Sequence, residues 1–140
     1  MDIEEIKNKI NLRYPYLLVD RVVECNEEKL VALKNVTINE PFFQGHFPEP
    51  GPSVMPGTMI LEGMAQVSGI LAQEVLGEEE IGYLVGVDGA KFRRKVTPGD
   101  QLEFRAEMKR ARANLCKVAV RAYVGEELSA EATITLAFRE

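Results

Sequence analysis

One histidine and two cysteines are all that the 140 residues offer as imidazole and thiol ligands. His46 stands alone, and neither Cys25 nor Cys116 belongs to a Cys-x-x-Cys pair. The usual zinc ligand sets therefore cannot be assembled within one chain, and no metal is expected. The two cysteines lie far apart in apolar surroundings, which predicts reduced core thiols and no disulfide. A basic excess is also missing: 17 lysines and arginines face 22 acids, giving a net charge of -5 and a pI of about 5.1. That balance argues against broad nucleic-acid binding. The opening MDIEEIKNKI has no apolar run after a basic start, so no secretory signal is expected and the predicted location is the cytoplasm. The glycines are scattered rather than spaced as GxGxxG or GxxxxGKS/T, which excludes those phosphate cradles, and no cofactor is expected.

What is present points to one globular domain over residues 1–140, with 46% apolar and 28% charged residues. Residues 2–10 predict a short amphipathic helix, with Ile3, Ile6 and Ile10 spaced by three and four and acids placed early. Tyr16–Cys25 and Lys29–Ile38 read as two strands of a hairpin joined at Asn26-Glu27-Glu28. QGHFPEPGPSVMPG, residues 44–57, holds too many prolines and glycines for any regular element and must be a long loop.

Pro56 suits a helix start and Gly77 a helix end, bracketing a run to Leu76 that is apolar almost all round. Such a helix must be enclosed. Glu62, Gln66, Gln73 and Glu74 would each be costly in hydrocarbon, so the enclosure is expected to be protein and not membrane. Alternation then takes over. Leu102, Phe104, Ala106 and Met108 mark one strand; Cys116 to Val124 and Leu128 to Phe138 mark two more, with turns at Ala111–Asn114 and Gly125–Glu127. Tyr83–Val96 supplies another. The resulting class is α+β: a curved antiparallel sheet wrapped around one long central helix, which is the layout of the hot-dog fold. One sheet cannot cover such a helix on every side, so a second copy is expected to close it as a homodimer.

His46 lies in the proline-rich loop just ahead of the buried helix. A lone histidine is more often structural or simply solvated than catalytic. Glu62 lies inside an otherwise apolar helix, where a carboxylate needs a partner or a path to solvent. Its plainer reading is an acid facing water near the positive end of the helix dipole. Read together, the two form a proton-transfer pair, since a base and an acid are what an elimination requires. Because Pro56 has no amide hydrogen, Gly57 offers the first free backbone N–H of the helix, aimed where an oxyanion would be stabilised. Pro56-Gly57 would serve simple helix initiation equally well. Gln66, one turn beyond Glu62, is placed to hold that carboxyl by a hydrogen bond.

Four stretches carry a resemblance: RYPYLLVDRV (13–22), NEPFFQGHFP (39–48), PGTMILEGMAQ (56–66) and GVDGAKFRRKVTPGDQL (86–102). In this order they resemble the FabZ-type 3-hydroxyacyl-acyl carrier protein dehydratases of bacterial fatty-acid synthesis. The resemblance implies dehydration of a 3-hydroxyacyl thioester carried on acyl carrier protein, without double-bond isomerisation, since the FabA-type enzymes carry aspartate where this chain has Glu62. It implies that His46 is the base at the alpha carbon and Glu62 the acid at the hydroxyl, contributed by different subunits. Gly57 N–H would polarise the thioester carbonyl, and Tyr83 would gate the acyl tunnel. Relatives commonly assemble as trimers of dimers. Lys91, Arg93, Arg94, Lys95, Arg110 and Arg112 are the basic residues available to steer an acidic carrier.

Two positions depart from the family pattern. The stretch EPGPSVM between HFP and PG is longer than usual, and Leu12 stands where a histidine is common. The competing activities are a hot-dog thioesterase or hydratase acting on coenzyme A esters, and a non-catalytic acyl-carrier-binding subunit.

Overall fold

The computed structural model describes residues 1–77, 82–112 and 114–138. Helix α1 (Ile3–Lys9) is capped by Asp2, whose side chain accepts from Glu5 N at 3.0 Å. Strands β1 (Arg21–Cys25) and β2 (Lys29–Asn35) follow, then a 3-10 turn (Pro41–Gln44) and the long helix α2 (Gly57–Leu76). Four strands complete the order: β3 (Tyr83–Phe92), β4 (Gln101–Arg112), β5 (Leu115–Val124) and β6 (Glu127–Ala137). They form a six-stranded sheet in the order β1-β2-β4-β5-β6-β3, antiparallel at every pairing.

The two-residue period decides which face of the sheet is dry. Leu102, Phe104 and Ala106 on β4, Cys116, Val118 and Val120 on β5, and Ala130, Ile134 and Leu136 on β6 are buried together with Met64, Val67, Ile70 and Leu71 of α2. Each such aliphatic side chain, fully withdrawn from water, contributes about 1.5–3 kcal/mol. Helix and sheet meet most closely where α2 carries Gly63: a Cβ there would lie 2.6 Å from Phe104 Cζ. Ala32 and Ala122 flank Phe104 on the neighbouring strands, leaving its ring room to rise toward the helix. α2 ends at Gly77 in the left-handed conformation, φ 69°, the stop expected from sequence.

The polar groups within α2 are used inside the protein. Ser68 Oγ donates to Met64 O at 2.7 Å, and Gln73 Nε2 donates to Lys9 O at 2.6 Å, satisfying a carbonyl at the end of α1. Among the described residues, no helix is long and apolar enough to cross a membrane.

Three expectations need correction. The first strand is only Arg21–Cys25: Tyr14–Tyr16 form a turn, and residues 17–20 have no regular structure. The backbone groups that a ladder would need are taken by a side chain, because Leu18 N donates to Gln66 Oε1 and Tyr16 O accepts from Gln66 Nε2. Cys25 is exposed at the end of an edge strand, whereas Cys116 is buried as expected. Of the turn expected at Ala111–Asn114, Ala111 and Arg112 belong to β4, and Ala113 lies outside the described residues.

Candidate functional site

The 3-10 turn Pro41–Gln44 is anchored by Phe43, which is buried and packs edge-on against Phe42 with ring centroids 4.8 Å apart. His46 leaves this turn with its backbone N donating to Phe42 O at 3.0 Å. Its ring is held from the other side: Nδ1 lies 2.6 Å from Val54 O. A carbonyl can only accept, so Nδ1 carries a proton, and in the neutral imidazole the lone pair is therefore on Nε2. Val54 is steadied in turn through its neighbour, since Met55 N donates to Val96 O at 2.8 Å.

This contact decides what the long loop does. With His46 bonded to Val54, the intervening residues form a closed excursion whose first part, Phe47 to Pro50, is exposed and turns at Gly51 N to Pro48 O, 2.8 Å. The extra length is therefore taken up in an exposed turn between the two partners of this bond. Phe47, beside the His46 ring at 4.4 Å, adopts φ 55°, a left-handed conformation that costs a non-glycine residue energy and is concentrated at functional sites.

His46 and Gly57 line the same cleft of about 430 Å³, together with Ile60, Phe92, Val96 and residues 93–95. Gly57 opens α2, so its N–H has no partner within the helix and faces the positive end of the dipole. A Cβ at this position would sit 3.0 Å from the Phe92 ring, so the amide is reached through a gap that a side chain would close.

Glu62 lies in a second cleft of about 230 Å³, lined by Asn11, Leu12, Ala65, Gln66, Gly82, Tyr83, Leu84 and Leu136. Gln66 is 1% exposed, and both ends of its amide are assigned. Oε1 accepts from Leu18 N at 2.9 Å, which makes the other end the donor: Nε2 reaches Tyr16 O at 2.5 Å and Glu62 Oε2 at 2.9 Å. One carboxylate oxygen of Glu62 is thereby engaged, and among the described residues Oε1 has no hydrogen-bond partner.

Within one chain, then, His46 and Gly57 share one cleft, while Glu62, Gln66 and Tyr83 share another. Sequence reasoning did not find the carbonyl of Val54, the backbone clamp at Tyr16 and Leu18, or Phe92 over the helix start. The only sequence signal for the clamp was the RYPYLLV stretch itself. The basic stretch is partly consumed by structure. Arg94 bonds Asp100 and Glu127, each at 3.0 Å, and Arg93 pairs with Glu131 at 2.7 Å. Among the described residues, Lys91 and Lys95 are exposed and make no ion pair.

The FabA-like domain, as a family model, matches residues 10–133. A 3-hydroxyacyl-(acyl-carrier-protein) dehydratase FabZ from Polynucleobacter asymbioticus is 50% identical over 99% of this chain and 93% of its own length. The enzyme of the same name from Thermus thermophilus is 52% identical, covering 96% of this chain and 95% of its own. Among solved structures, the dehydratase heterocomplex ApeI:P from Xenorhabdus doucetiae superposes with a TM-score of 0.81 at 13% identity, over 96% of this chain and 91% of that one. The protein smu.793 from Streptococcus mutans, bound to acetyl CoA, gives 0.70 at 14% identity, over 91% and 93%. These two likenesses show the shared hot-dog fold. With half of its residues identical to theirs across nearly the whole length, the chain belongs to the FabA-like family, on its FabZ branch.

Proposed function

We propose that the chain removes water from (3R)-3-hydroxyacyl chains on acyl carrier protein, giving trans-2-enoyl products, at a site assembled from the two clefts of two copies. The observation that carries this reading is the bond from His46 Nδ1 to Val54 O, which in the neutral ring makes Nε2 the basic nitrogen, in the cleft that Gly57 also lines. Nε2 takes the proton from the carbon next to the thioester carbonyl. The charge that develops on the carbonyl oxygen is met by Gly57 N–H and the dipole of α2. The C3–O bond breaks as Glu62 of the other copy gives its proton from Oε1 to the departing hydroxyl, and water leaves. Return of the proton from His46 to Glu62 resets the pair. Gln66 holds Glu62 in register, and Tyr83 stands at the mouth of the acid's cleft.

Pairing of two copies is supported by β3, which bonds only β6 and exposes Leu84, Val85, Val87 and Phe92 on its free edge. An apolar edge strand is an invitation to pair. Of the six basic residues, Arg93 and Arg94 are paired, whereas Lys91, Lys95, Arg110 and Arg112 are exposed and without an ion pair among the described residues, and these four would draw in an acidic carrier. A cytoplasmic location goes with this reading, since the carrier protein is the substrate's vehicle.

Three measurements test it. His46→Ala and Glu62→Gln are each expected to lose about 10²–10⁴-fold in enoyl formation, followed by absorbance. Release of free thiol instead would identify a thioesterase. Mixing the two dead variants, with subunit exchange, is expected to restore about a quarter of the wild-type sites, because one site of each mixed dimer receives both intact residues. Light scattering is expected to give a dimer or its threefold multiple; a monomer that turns over substrate would end the composite-site reading.

A further inference from the structure

A lysine stands where the alternation of the sheet calls for a core residue. The inward positions of β2 are Leu30, Ala32 and Lys34, and Lys34 is only 6% exposed. Taking an ammonium out of water is expensive, and an apolar side chain of similar length would fill the place at lower cost. Its charge is met by Glu40, whose oxygens lie 3.1 and 3.2 Å from Nζ, with Asp20 more distant at 4.0 Å. Glu40 Oε2 also accepts from Thr37 N at 3.2 Å.

Glu40 is the residue from which the 3-10 turn departs. Its carbonyl accepts from Phe43 N at 3.1 Å, and the carbonyl of Phe42, within the same turn, accepts from His46 N at 3.0 Å. The ion pair and these two backbone bonds, linked through the chain of the turn, therefore tie the sheet to the backbone of His46. The opposite side of the ring is held by Val54. Neither Lys34 nor Glu40 lines the cleft of His46, so neither is positioned to touch substrate.

We infer that the buried Lys34–Glu40 ion pair is a positioning device for His46, fixing the turn so that Nδ1 meets Val54 O and Nε2 faces the cleft. This rests on the reading of His46 as the base. The pair's retention at a core position follows: a charge there locks the direction of the turn, which a greasy contact would let slide.

Because His46 is the only histidine, protein labelled with ¹⁵N-histidine gives a single pair of imidazole signals. The wild type is expected to report one Nδ1–H tautomer. In Glu40→Gln the signals should move toward the tautomer mixture of a free imidazole, while kcat falls about 10- to 100-fold and KM stays within about threefold. Lys34→Met should do the same, and Glu40→Asp should give an intermediate loss. Lys29→Met, which breaks an exposed pair on the same strand, should change neither reading.

Variants that melt earlier yet keep wild-type kcat and wild-type imidazole signals overturn the inference. Should the single variants fail to fold, Lys34→Met/Glu40→Met removes both buried charges together. Full activity in that double variant also overturns it. If His46→Ala keeps its turnover, the base assignment fails. The imidazole signals of Glu40→Gln still report the tether on their own.

Discussion

Glu62 rides on the second turn of a 20-residue helix, whereas His46 hangs in irregular chain between a 3-10 turn and the start of that helix. The carboxylate inherits its position from regular structure and one buried amide, Gln66. The imidazole inherits its position from closure: Phe42 on one side, Val54 on the other, and a bulge between. The difference teaches where each half of the site tolerates change. Substitutions on the acid's side should disturb packing that runs through the core. Changes on the base's side should be absorbed wherever the two anchors survive.

The sharpest probe of the acid's side is Gln66→Ala. It removes the bonds to Leu18 N, Tyr16 O and Glu62 Oε2 at once, leaving a buried amide unsatisfied and a cavity beside it. A loss of about 3 kcal/mol in urea unfolding is expected, together with reduced kcat. A loss under 1 kcal/mol would mean that the segment before β1 finds other partners, and the contrast between the two halves would weaken.

Gly63→Ala comes next. The added methyl would stand 2.6 Å from Phe104 Cζ, in a core with no slack. Overpacking of this kind costs about 1–3 kcal/mol, a contact this short lies at the upper end, and helix propensity returns about 1 kcal/mol, so we expect a net loss of about 2 kcal/mol. Because Gly63 adjoins Glu62, the strain should also lower turnover; unchanged stability would show that helix and sheet can part cheaply.

On the base's side, Asp100 steadies the segment that carries Val96. Burial works against its ionised form, but the amide of Thr97 at 2.9 Å and the guanidinium of Arg94 hold the carboxyl below its ordinary value. A carboxyl depressed on folding adds stability above its unfolded pKa, about 4, and that contribution is lost as pH falls through the lower folded value. Asp100→Asn should therefore cost about 1 kcal/mol at neutral pH, and the gap from wild type should close in acid, followed by thermal unfolding across pH. A gap that does not narrow as the pH falls below the unfolded value would assign the loss to packing instead.

Much of this was legible before any coordinates. The alternation of β4, β5 and β6 and the punctuation of α2 by Pro56 and Gly77 are local signals, and locally encoded elements survive folding unchanged. His46 and Glu62 stood out as an unmatched imidazole and a carboxylate in apolar company. The Tyr16–Leu18 stretch reads as strand because it is an apolar run leading straight into β1, yet its backbone bonds go to Gln66, some 50 positions away, and no local pattern announces that. Cys25 misled because the apolar neighbours in its sequence are not its neighbours at the end of an edge strand. Lys34 escaped notice for a related reason: alternation is read from apolar residues, and a buried ion pair is invisible to it.

The smallest effect should come from the bulge, where the comparison is most exposed to failure. Between His46 and Val54, Glu49 and Pro50 are exposed, and neither hydrogen-bonds to another of the described residues. Deleting both shortens a loop whose ends are already clamped, and closure entropy changes only slowly with length. Stability should shift by about 0.5 kcal/mol or less, and kcat should stay within about twofold, provided the Val54 carbonyl still meets Nδ1. The imidazole signals should keep their single tautomer. A large fall in kcat with those signals intact would assign the bulge a role in receiving the carrier protein. A fall accompanied by a mixed tautomer would mean that the loop itself, and not its two anchors, holds the base.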